Sequence, residues 1–214
     1  MKRNTNKSFI IFDIIKKHIY NNSKLYLTVS IFFIIGIIMG VTFANNIESD
    51  VQSQVSEYIN DFIYSLKTDY EIDSISLLKS SIQSHILFTF LIWFMGCTVI
   101  GIPVVYGLVI LKGFSLSYTI STIISTLGLG KGIWFCIISL LFQNIITIPT
   151  ILALAVSGIR LYKSIMKDKR RENIKIEIIR HTIFSLSMLI LFIISSFVEV
   201  YISSNLMSLC INTL

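Results

Sequence analysis

Residues 101–149 read GIPVVYGLVILKGFSLSYTISTIISTLGLGKGIWFCIISLLFQNIITIP, and only Lys112 and Lys131 among them carry charge. A soluble core does not look like this. The stretch is broken by glycine or proline at Gly101-Ile102-Pro103 and again from Gly128 to Gly132, which divides it into helical runs. A Gln143-Asn144 pair sits inside the last run, followed by Pro149. Amides in hydrocarbon need partners, so this block is expected to pack on neighbouring helices within a bilayer. The whole chain agrees, with 54% hydrophobic residues among its 214 and a mean hydropathy of +0.77. Those values predict an all-α, polytopic membrane protein forming a single integral membrane domain over residues 1–214.

Outward from the block, charge sets the expected orientation. Residues 1–24 hold six Lys and Arg against Asp13, a net of +5, which marks a cytoplasmic flank. Phe9, Ile10, Phe12, Ile14, Ile15 and Ile19 there are spaced for a short amphipathic helix along the inner headgroups. Residues 25–44 contain no charge and are long enough to cross a layer of about 30 Å, so they form a first, uncleaved span. Residues 45–80 reverse the sign, seven acids against Lys67 and Lys79, a net of −5, and are expected outside. Within them Ile47, Val51, Val55, Ile59, Phe62, Ile63 and Leu66 recur at three- and four-residue steps, predicting an amphipathic extracytoplasmic helix. Its stripe either docks on a partner or rests on the protein itself.

Three apolar runs follow before residues 160–180, where eight Lys and Arg face three acids and mark a second cytoplasmic segment. Passing from outside to inside takes an odd number of crossings, and the length suits three. Two partitions are open. A third span could begin at Pro103 and carry Lys112 along its side, or a kinked second span could end at an inner Lys112-Gly113 turn. The latter avoids a lysine at mid-membrane, a cost of about 2.5–3.5 kcal/mol, so the expected spans are 86–111, 114–130 and 132–159. A fifth, 182–203, leads to an extracytoplasmic tail, 204–214. Glu199 is expected near the outer end of that span, in reach of interfacial water, where it snorkels, caps a neighbouring helix or meets a partner.

The search for chemistry is mostly negative. Cys97, Cys136 and Cys210 lack CxxC spacing, and His18, His85 and His181 lack ligand spacing, so no metal, cofactor or catalytic site is expected and the histidines read as interfacial. Basic residues gather at the ends of apolar runs, which fits the lipid bilayer and not nucleic acid. Gln143, Asn144 and Pro149 remain as an anomaly: either a kink whose amides bond to a neighbour, or the midplane site of a small transporter or channel.

These features resemble the stage II sporulation protein M family. The resemblance is carried by Gly101-Ile102-Pro103, Leu111-Lys112-Gly113-Phe114, Gln143-Asn144 with Ile148-Pro149, and Glu199-Val200-Tyr201-Ile202-Ser203. Phe142 and Ser204 stand where the family usually has proline. The resemblance implies a non-catalytic scaffold of the mother-cell membrane that holds peptidoglycan-degrading enzymes, the stage II sporulation proteins D and P, at the septum during engulfment. The candidate partner or packing residues are therefore Glu199, Tyr201, Gln143, Asn144, Pro149, Pro103, Lys112 and Gly113, and the reading leaves room for a homo-oligomer.

Overall fold

A computed structural model describes residues 19–67, 73–98, 100–167 and 171–210. The regular structure among them is entirely helical. Five helical stretches are long and apolar enough to cross a membrane, as predicted, and the protein is a multi-pass membrane protein. The amphipathic helix expected near the amino terminus lies outside the described residues, apart from its last turn.

The first span, α1 (Ser23–Asn45), is uniformly apolar. After a short turn comes α2 (Ser49–Lys67), the amphipathic helix. It lies on the protein itself: Ile63 is buried against Ile123, Phe135 and Cys136, with Ile59 alongside. A hydroxyl contact, Ser56 Oγ to Thr126 Oγ1 at 3.1 Å, fixes its register. Part of the expected stripe stays uncovered, since Val51 and Phe62 are exposed.

The second and third spans correct the expected boundaries. α3 runs Ser74–Gly96, its start capped by Asp73, which accepts hydrogen bonds from the amides of Ile75 and Ser76 at 3.2 Å. α4 then runs unbroken from Gly101 to Leu127. The break thus falls at residues 97–100 and not at Lys112-Gly113. Pro103 sits in the first turn of α4, where an amide hydrogen is not needed. Gly113 is a packing residue: a side chain there would overlap the Phe33 carbonyl of α1, as one at Gly36 would overlap that of Ile110. Small residues let the α1 and α4 backbones touch.

At Gly128, whose φ of 80° suits only glycine among common residues, the chain reverses. α5 (Leu129–Cys136) leads through a π-helical segment, Ile137–Leu141, into α6 (Phe142–Lys167). Pro149 lies inside α6 without interrupting it; the departure from α geometry comes earlier, in the π segment. α6 is the central helix. It touches α1, α3, α4 and α7 (Arg171–Phe197), and residues 154–159 are buried one after another, which a helix shows only when surrounded. Around it pack Val29, Phe33, Ile92, Val105, Val109 and Phe192. The last span continues from α7 through a second π segment, Val198–Ser203, into α8 (Ser204–Cys210). Met207 of α8 joins the cluster under α2, so α2 and α8 occupy one end of the bundle.

Candidate functional site

Polar residues from four helices meet inside the apolar bundle. On α6, Gln143 and Thr147 are one turn apart and face the last span, where Ser195 of α7 and Glu199 of the π segment after it repeat the spacing. Gln143 Nε2 donates to Glu199 Oε2 at 2.7 Å. Thr147 Oγ1 and Ser195 Oγ lie 2.6 Å apart, and Ser195 also donates to the Gln143 carbonyl at 3.2 Å. From α3, Ser81 Oγ donates to the same Glu199 oxygen at 2.5 Å and lies 2.9 Å from Ser196 Oγ. The carboxylate therefore holds α3, α6 and α7 together with two charge-assisted hydrogen bonds.

Lys112 brings α4 into the group. Its ammonium stands 4.9 Å from the centre of the Phe88 ring, a cation–π geometry. It is also attracted by Glu199, while His85 lies one turn from Phe88 on α3. His85 is 6% exposed and stacks on Phe192 at 4.6 Å. Two opposite charges in a medium of low dielectric attract over a distance at which water would screen them. Lys112 thus lies inside an unbroken helix, beside an aromatic ring and on the side of an acid, where those neighbours offset part of the penalty that argued for a turn there.

Further along the α6–α7 seam, Ser157 Oγ is 2.8 Å from His181 Nδ1, and His181 is 2% exposed. The two described histidines are therefore buried in the bundle, where an interfacial position was expected; His18 lies outside the described residues. Of the readings left open for Glu199, the structure shows contact with neighbouring helices. Helix continues through α8, roughly 16 Å past Glu199 at about 1.5 Å per residue, and the carboxylate turns toward its own chain.

Of the residues singled out in the sequence, Gln143, Lys112 and Glu199 are brought together. The others are not. Asn144 points elsewhere, donating Nδ2 to the Leu140 carbonyl at 2.7 Å. Tyr201 is exposed and stacks on Phe197 at 5.9 Å, Pro103 and Pro149 are exposed, and Gly113 lies at the α1 crossing. Ser81, His85, Thr147, Ser195 and Ser196 were not anticipated. Their signal was present as polar pairs four apart, Ser81/His85, Gln143/Thr147 and Ser195/Glu199, which put each pair on one helix face. Gly36 and Gly40, four apart, similarly foretold the close α1 crossing.

Among the described residues no group of His, Cys, Asp and Glu is arranged to hold a metal ion. The arrangement instead neutralises a buried charge and ties helices. No curated protein and no solved structure matches the chain. A family model, stage II sporulation protein M, matches residues 29–204, a stretch that includes every helix contributing to this cluster and every motif quoted above. The chain belongs to the stage II sporulation protein M family.

Proposed function

We propose that the protein is a non-catalytic membrane scaffold of the engulfment machinery, holding the peptidoglycan-degrading stage II sporulation proteins D and P at the mother-cell septal membrane. Family membership gives the sporulation role. The observation that carries the scaffold reading is the way polar groups are used. The part-buried acid and amide of the spans are bonded to each other, and the acid also to Ser81, while α2 rests on the bundle with Asp50, Glu57, Asp61 and Tyr58 exposed. The face offered to partners is thus the acidic side of α2, with Glu199 supporting the helices beneath it.

Reversing Asp50, Glu57 and Asp61 to Lys should lower co-purification of at least one of the two enzymes at least roughly tenfold, an effect of about 1.4 kcal/mol. The amount of protein in the membrane should stay the same. Undiminished recovery of both enzymes would rule out this face. A second reading, a small transporter or channel, gains one observation: Gln143 is accompanied by an acid and a lysine. It requires solute flux in proteoliposomes that Gln143→Leu removes.

A further inference from the structure

A groove of about 440 Å³ runs along the bundle between α4 and the limb made of α5, the Ile137–Leu141 segment and α6. Its walls include Ile120 and Ile124 on one side and Ile137, Leu141, Asn144 and Ile145 on the other. The chain itself creates it. Gly132 lets α5 lean against α4, where a side chain would overlap Ile124. The π segment then widens the helix, and the two walls part below that contact. The limb side of the groove extends from Ile133 to Ile148, about 22 Å at roughly 1.5 Å per residue, most of the height of a hydrocarbon layer of about 30 Å.

Asn144 is the one side-chain amide in this lining. Its Nδ2 is used by Leu140, and among the described residues no hydrogen bond reaches its Oδ1. A lipid tail offers no donor, and neither does water at this depth. The amide oxygen therefore selects an occupant that brings a donor into the bilayer. A second copy related by a two-fold axis through the groove would set groove against groove, two concave surfaces. The lipid-facing ridge of α1, with Leu27, Ile31, Ile34 and Ile38, carries no donor.

We propose that the groove receives one transmembrane helix of a partner polypeptide, apolar except for a hydrogen-bond donor at the depth of Asn144. This rests on the scaffold reading and specifies how a membrane-anchored partner is held. Shape comes from the isoleucine walls, and register from the amide.

The test places a photo-crosslinking amino acid at Ile145, in the groove, or at Ile34, on the lipid face of α1. The full chain is produced in membranes together with stage II sporulation proteins D and P. The expected result is an adduct from position 145 mapped to an apolar span of one of those enzymes, and none from position 34. Asn144→Leu should lower its yield about three- to tenfold, the range of a membrane hydrogen bond, and Asn144→Gln should restore most of it. Adducts of lipid mass alone, adducts of the chain with itself, or equal yields from both positions would overturn the proposal. Co-purification is read in parallel. Partners that co-purify without a groove adduct leave the scaffold standing and remove the groove; loss of both removes both.

Discussion

A carboxylate in hydrocarbon costs several kcal/mol unless its charge is met, and Glu199 is met from three directions. Ser81 and Gln143 donate hydrogen bonds, and Lys112 supplies the opposite charge from α4. The sequence shows the charged pair 87 positions apart and says nothing of their meeting. Double substitution tests whether they act as a unit. Lys112→Met alone leaves Glu199 uncompensated and should destabilise the bundle by roughly 1–3 kcal/mol, as should Glu199→Gln alone; together they should cost less than the sum. Denaturant unfolding in detergent measures all three. Strict additivity would mean that the charges do not communicate. Residues such as Gln143 and Glu199 were legible as anomalies because each is polar in an apolar run. Their partners Ser81 and Ser195 were not, because serine is common in these helices and only the fold says which ones face inward.

At the scale of elements, the count of spans was legible and one boundary was not. Sequence reasoning placed a turn at Lys112-Gly113 because lysine is costly in lipid. That cost belongs to an isolated helix. In the bundle the Phe88 ring receives the ammonium and Glu199 attracts it from the last span, and α1 needs the missing side chain of Gly113, so the turn falls at residues 97–100. The π segments were not foreseen either. Their ends coincide with the two departures from the family pattern: Phe142 follows Ile137–Leu141, and Ser204 follows Val198–Ser203. The amide of Ser204 closes the second π turn by donating to the Glu199 carbonyl five residues back, so a proline at that position would remove a π-helical hydrogen bond. Ser204→Pro should then cost about 3 kcal/mol or more, as should Ile151→Pro, deep in α6. Melting temperatures of the two variants in the same detergent compare them directly, and a Ser204→Pro protein as stable as the parent would mean that the π hydrogen bond contributes nothing.

At the scale of the whole molecule, two independent lines bear on which parts share a side of the membrane. Charge counting puts the acidic residues 45–80 and the carboxy-terminal stretch together, away from the basic residues 160–180. Packing joins the first two without reference to charge, because Ile59 and Ile63 of α2 share a cluster with Met207 of α8. The absolute sense rests on the charge rule alone, and it decides whether the acidic face of α2 can meet wall-degrading enzymes at all. Reporter fusions settle it. A reporter active only outside the cytoplasm should be active when fused after Leu214 or inserted at residues 68–72, and inactive at residues 168–170, with a cytosolic reporter giving the inverse. Activity split between the first two sites would contradict the packing of α8 against α2. An inverted pattern at all three sites would keep the bundle and turn it over, placing the acidic helix among cytosolic components and leaving the scaffold without access to the wall.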